Sequence, residues 1–258
     1  VDALTDKEVE GTLACVDTLK TVPWAAPLLA TTRSIVDKLL VGLTDHEAYA
    51  KNPVSAAEKS FLFELRFAAA LASAGISATY EHGAGVGDTT VDFLVHLEPR
   101  PWLVELVSLH ESAAFKAATW DHVETDGSGA KVNTFGFALG LDKEEPKQSE
   151  EGETLKAQER IGAKVFDSKS KKPLKFPEPG PAIHMLMVDA RGFLGSGMGD
   201  KADWHQIVYG SEGLPPELVK FWKDPHTGKE APIRGLLEHE CPLPAAALIR
   251  ERLHILAF

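Results

Sequence analysis

Two acids stand inside apolar runs in the stretch TTVDFLVHLEPRPWLVELVS, Thr89 to Ser108: Asp92 between Val91 and Phe93, and Glu105 between Val104 and Leu106. Taking an ionised carboxylate out of water is costly unless a cation or hydrogen-bond donors meet it. The two runs read as strands joined by the turn EPRP. Side chains alternate along a strand, so Asp92 shares a face with Leu94 and His96, and Glu105 shares one with Leu103, Val107 and Leu109. Paired as a hairpin, the strands can carry Asp92 and Glu105 on one face, although the turn alone does not set the register.

A third acid comes from a helix. Residues 55–74, SAAEKSFLFELRFAAALASA, carry the clearest helical pattern in the chain, ended at Gly75. At about 100° per residue, Phe61, Phe63, Phe67, Ala68 and Leu71 form an apolar stripe with Glu64 in its middle and Arg66 opposite. Residues 153–167 read as another helix, with Leu155, Ile161, Gly162, Val165 and Phe166 on its apolar side, Gln158 at the centre of that side, and Lys156 and Lys164 pointing away. Glu64, Asp92, Glu105 and Gln158 are thus four polar groups expected to face inward. Oxygen donors of this kind suit a hard divalent cation such as Mg2+. Such an ion neutralises the acids and can activate water against a phosphodiester.

A helix with an inward Glu, a strand with Asp, a strand with Glu and then a helix with Gln follow one another along the chain. This resembles the outline of the PD-(D/E)XK, or restriction-endonuclease-like, nuclease superfamily. TTVDFLV at 89–95 is similar to its first acidic motif and WLVELVS at 102–108 to its second, and the likeness spans residues 58–190. It implies Mg2+ (or Mn2+) held by Asp92, Glu105 and Glu64, with Gln158 orienting water or phosphate. It also implies phosphodiester hydrolysis, with DNA as the expected substrate. The lysine of the family's second motif falls at Val107 here. Three arrangements then stand open: a basic group from elsewhere, metal-bound water acting alone, or a degenerate site on a non-catalytic binding or assembly module. Lys156, reaching across on its long stem, is a candidate replacement despite its unfavourable helical angle.

The lysines at 164, 169, 171, 172 and 175 lie at a helix end and in the basic, Pro-rich segment KSKKPLKFPEPGP. Lys169, Lys171, Lys172 and Lys175 are candidates to grip phosphates, against the simpler reading of a solvated linker. GFLGSGMGD at 192–200 lacks the ending of a phosphate loop, and HGAGVGD at 82–88 reads as a flexible loop beside Asp92. The histidines of HEC at 239–241 and of the DH pairs lack zinc-ligand spacing, and His96 reads as structural.

Residues 1–57 read as an N-terminal helical region ahead of an α/β domain over 58–258. Further strands are expected at ISATY (76–80), AIHMLMVDA (182–190), HQIVYG and the terminal RLHILAF, and a short helix at 111–119. VNTFGFALGL reads as a strand or buried loop, and DKEEPKQSEEGE as an exposed polar connection. This order describes a mixed central α/β sheet flanked by helices.

Composition narrows the class further. A net charge of −11 over 258 residues argues against a generally basic nucleic-acid binder, though not against a local basic groove. Nucleic acid is the expected partner; the sequence does not set the oligomeric state, a homodimer being one option. Two distant cysteines, Cys15 and Cys241, make no disulfide framework, so a reducing cytoplasm is the expected compartment. No apolar run reaches the ~18 residues of a membrane span. VDALTDKEVE has neither the basic region nor the apolar core of a signal peptide, and no initiator Met, as in a processed or trimmed chain.

Overall fold

The computed structural model describes residues 6–110, 119–125, 131–137, 150–192, 201–223 and 227–258. The chain forms two compact units, one of Val1–Ser108, Lys169–Asp189 and Glu251–Phe258, the other of Leu109–Ser168 and Ala190–Arg250. The fold is mixed α/β, with a mixed central sheet flanked by helices.

The first unit opens with α1 (Asp6–Leu19), α2 (Ala26–Thr44), α3 (His46–Lys51) and α4 (Ala56–Ser73). The start of α4 is a capping box: the Glu58 N–H donates to Ser55 Oγ at 3.2 Å and the Ser55 N–H to Glu58 Oε2 at 2.8 Å. Lys38 Nζ reaches the same carboxylate at 2.8 Å, tying α2 to α4. Gly75, at φ +70°, ends the helix, and the Ile76 N–H donates back to the Leu71 carbonyl at 2.9 Å. The region expected as helical at 1–57 therefore belongs with the sheet in one unit, and α1 packs on α4.

The sheet has the order β1-β2-β3-β8-β11. β1 (Ala78–Gly83), β2 (Thr90–Val95) and β3 (Trp102–His110) form an antiparallel meander, and β11 (Ile255–Ala257) runs parallel to β8 (Ile183–Gly192). One face of the sheet, carrying Tyr80, Phe93, Val95, Val104 and Leu106, packs into the main core with Leu62, Leu65 and Ala68 of α4 and with the apolar sides of α1 and α2. On α4 the most buried apolar line is Leu62, Leu65, Ala68 and Ala69. Phe61, Phe67 and Leu71 are only partly buried, so Glu64 lies at the edge of the buried face instead of at its centre.

The second unit contains the hairpin β4 (Thr119–Thr125) and β5 (Lys131–Phe137), helix α5 (Glu150–Gly162), helix α6 (Lys201–Tyr209), the ribbon β9 (Phe221–Lys223) and β10 (Glu230–Pro232), and α7 (Pro244–Arg252) as far as Arg250. Two-residue strands β6 (Phe166–Asp167) and β7 (Lys172–Pro173) lie in the segment that connects back to the first unit. A Cβ on Gly162 would fall 2.7 Å from that of Ala245, so glycine lets α5 and α7 approach closely. HQIVY of the stretch HQIVYG, expected as a strand, belongs instead to helix α6, which ends at Tyr209; its buried side is made by Ala202, Gln206, Ile207 and Val208. Gln206 anchors that face, donating to the Lys220 carbonyl at 2.7 Å and accepting from the Lys220 N–H at 2.8 Å. Helix α5 ends at Gly162, five residues earlier than the pattern over 153–167 suggests. Of the short helix expected at 111–119, residues 111–118 lie outside the described residues and Thr119 opens β4; most of the acidic connection and of the glycine-rich loop after Gly192 also lie outside them.

Candidate functional site

The pairing of β2 with β3 runs Phe93 to Val104, Leu94 to Leu103 and Val95 to Trp102. One step further along the same register sets Asp92 opposite Glu105, on the same face. The bonded ladder stops just before this row, and the β1–β2 ladder also skips it, leaving Glu81 and Asp92 out of the paired positions. Glu81 itself has a left-handed φ of +49°. At this row Asp92 Oδ2 accepts from the Leu106 N–H at 2.6 Å, taking the role a main-chain carbonyl would have.

Glu105 has no side-chain exposure, and Lys175 Nζ lies 3.3 Å from its Oε1. Lys175 comes from the segment that reads as a basic linker, yet the segment is firmly held. Phe176 is fully buried, and its carbonyl accepts from Arg252 Nη1 at 2.9 Å. The His184 ring stacks on Phe176 with centroids 5.5 Å apart. The Lys175 N–H donates to Thr89 Oγ1 at 3.3 Å. Further on, Arg100 donates to the carbonyls of Pro181 at 2.6 Å and Gly180 at 2.9 Å. Lys175 adopts φ +63°, a left-handed conformation disfavoured for a residue with a side chain.

Behind Lys175, His184 is buried at 1% exposure. Its Nδ1–H donates to the Arg252 carbonyl at 2.8 Å, and its backbone N–H donates to His254 Nδ1 at 3.1 Å. Burial holds the His184 imidazole below its ordinary pKa, so the neutral ring is favoured.

Glu64 approaches from the α4 side. It is 9% exposed and accepts a 2.8 Å hydrogen bond from the Tyr80 hydroxyl. Tyr80 pairs with Phe93, so it shares that residue's face, while Asp92 and Glu105 occupy the other. Burial first, and then the charges of Glu64, Glu81 and Asp92, push the Tyr80 phenol far above its ordinary range.

The other candidates have partners of their own. Gln158 lies in the second unit at 3% exposure, and its amide N–H groups donate to the carbonyls of Ile207 at 3.0 Å and Arg234 at 2.7 Å. Lys156, in the same unit, pairs at 2.7 Å with Glu153, a buried acid that the sequence pattern did not single out. Lys169, Lys171 and Lys172 are exposed. His96 meets Thr79 Oγ1 at 3.0 Å. Sequence reasoning missed Tyr80, Arg252 and His184, and it took Lys175 for a surface charge. The signal it passed over was Leu174 and Phe176 flanking that lysine between two prolines, an inward turn of the chain.

Among the described residues no three His, Cys, Asp or Glu side chains are grouped to hold a metal ion. The facing pair Asp92 and Glu105 nevertheless fits a hard divalent cation in donor chemistry, since Mg2+ usually takes one or two carboxylates and completes its shell with water and phosphate. Glu64, on the other face and bonded to Tyr80, is not part of that pair. No helix among the described residues is long and apolar enough to cross a membrane. No family model, curated protein or solved structure matches the chain.

Proposed function

We propose that the protein is a metal-dependent nuclease-like protein that hydrolyses phosphodiester bonds in DNA, on a restriction-endonuclease-like form of its mixed sheet. The observation that carries this reading is the Lys175 ammonium 3.3 Å from buried Glu105, in a β2–β3 register that, continued one step past its last bonded pair, sets Asp92 opposite Glu105. The chain order of β2 with Asp92 and β3 with Glu105 agrees with the order of the two acidic motifs of that superfamily. Bound by Asp92 and Glu105, Mg2+ or Mn2+ would neutralise charge on the phosphate and acidify a water. Lys175 supplies from a loop the cation that the motif position, Val107, cannot. Its charge stabilises developing negative charge at the phosphate, and the exposed Lys169, Lys171 and Lys172 grip the polyanion at its flanks.

The test is cleavage of plasmid and single-stranded DNA in Mg2+ or Mn2+ by the wild type and by Glu105→Gln and Lys175→Ala. Both variants should lose about 100-fold or more in rate. Cleavage by Glu105→Gln at the wild-type rate would end the proposal.

A second reading is a non-catalytic module on the same fold. It is favoured by the structural work each acid performs: Asp92 satisfies a backbone donor, Glu64 a phenol and Glu105 a lysine. DNA retention without cleavage, lost on replacing Lys169, Lys171 and Lys172 together, is its expected signature. Absence of both retention and cleavage would sink it.

A further inference from the structure

This inference rests on the reading of Asp92 and Glu105 as cation ligands. On that reading Glu105 has two claimants. One is already in contact, the Lys175 ammonium at 3.3 Å. The two partners differ in their access to water: the Glu105 side chain has none, whereas 24% of the Lys175 side chain is exposed. The root of Lys175 is fixed. Its N–H is bonded to Thr89, and the next residue, Phe176, is buried, bonded to Arg252 and stacked on His184. The tip is a compact charge on a flexible four-carbon stem, which can reach water without moving the backbone. A divalent cation on Glu105 would face this ammonium across a single carboxylate, and like charges at such range repel.

We propose that Lys175 is a displaceable counter-ion: it neutralises buried Glu105 when no divalent cation is bound and leaves the carboxylate when one binds. The lysine and the cation therefore compete for one site. The released ammonium, on the same segment as Lys169, Lys171 and Lys172, then becomes available to a phosphate, so cation binding prepares the protein for a polyanion.

The experiment is calorimetric titration of the full chain with Mn2+, together with melting curves in the presence and absence of Mn2+, for wild type, Lys175→Gln, Lys175→Arg and Glu105→Gln. Removing the competing charge should make Lys175→Gln bind Mn2+ about tenfold more tightly, while lowering its metal-free melting temperature. Its Mn2+-induced rise in melting temperature should exceed that of the wild type. Lys175→Arg, whose guanidinium fork suits a carboxylate better, should bind Mn2+ more weakly than the wild type. In the wild type, Mn2+ should also raise the rate at which the Lys175 amine is reductively methylated. Equal or weaker Mn2+ binding by folded Lys175→Gln, with wild-type binding abolished in Glu105→Gln, would overturn the competition and leave the cation site intact. Absence of Mn2+ binding in both wild type and Lys175→Gln would overturn the cation site and this inference together.

Discussion

Replacing Asp92 in two ways separates its work in the fold from its work in chemistry. Its Oδ2 meets the Leu106 N–H at 2.6 Å, and Leu106 is 4% exposed. A hydrogen bond to an ionised acceptor contributes about 1.5–3 kcal/mol and a neutral one about 0.5–1.5. Asp92→Asn keeps a carbonyl oxygen of the same reach, so it should cost only the difference, about 1 kcal/mol. Asp92→Ala deprives a buried N–H of this acceptor and should cost about 2–3 kcal/mol. For a chain of this size each kcal/mol moves the melting temperature by about 2–4 °C, so the two variants should be separated by several degrees. The cleavage assay should show no such grading, because neither variant carries the charge: both should fall by about 100-fold or more. Melting curves and plasmid cleavage on the same preparations decide the matter. Asn destabilised as far as Ala would refute the Leu106 bond as the structural role. Asn cleaving as fast as the wild type would refute the chemical one.

Two further expectations follow from buried polar groups. Gln158→Leu preserves bulk but removes the donors from the Ile207 and Arg234 carbonyls, which should cost about 2–4 kcal/mol in chemical denaturation, with the cleavage rate per folded molecule unchanged; lost cleavage at full stability would reverse that assignment. His184 has a folded-state pKa below its ordinary 6.5, so as pH falls through 6.5 the unfolded chain takes up the proton first and stability declines, with a slope of at most about 1.4 kcal/mol per pH unit for one proton. His184→Gln keeps an N–H for the Arg252 carbonyl and does not titrate, so denaturation midpoints measured from pH 7 to pH 5 should fall less steeply in the variant than in the wild type; parallel curves would refute the assignment.

The alternation of β2 and β3 was legible because it is a local property. Phe93 against Asp92, and Val104 against Glu105, need only the two-residue period of a strand. Their register was not legible, since it depends on where the ladder breaks at Glu81 and on the bond from Leu106 to Asp92. The helix around Glu64 was legible as a helix, but its rotation was misjudged. Three phenylalanines outweigh Leu62 and Leu65 in any count of apolar residues, whereas the structure buries the leucines fully and leaves the larger rings partly exposed. Gln158 was legible as inward-facing, but its partners, the carbonyls of Ile207 and Arg234, lie 49 and 76 residues away. Lys175 was hidden for a different reason. Prolines and lysines dominate its segment and mark it as solvent-facing, and the contacts that draw it inward, from Arg252, His184 and Thr89, are all remote in sequence.

The distribution of backbone strain bears on which reading of the acids is stronger. Among the described residues three without the freedom of glycine have left-handed φ: Glu81, Lys171 and Lys175. Two of them border the Asp92–Glu105 row, Glu81 at the interrupted β1–β2 pair and Lys175 at the ion pair. Each such residue costs about 1–3 kcal/mol and persists only where its surroundings over-determine it. Offsetting one buried glutamate needs no such arrangement, because a lysine on a neighbouring strand with ordinary backbone angles would serve. Here the counter-charge is delivered by a strained residue, held at its root by Thr89 and through Phe176 by Arg252 and His184, with its tip left at the edge of water. On the proposed reading, this is the arrangement that keeps an ammonium poised beside a carboxylate until a cation displaces it.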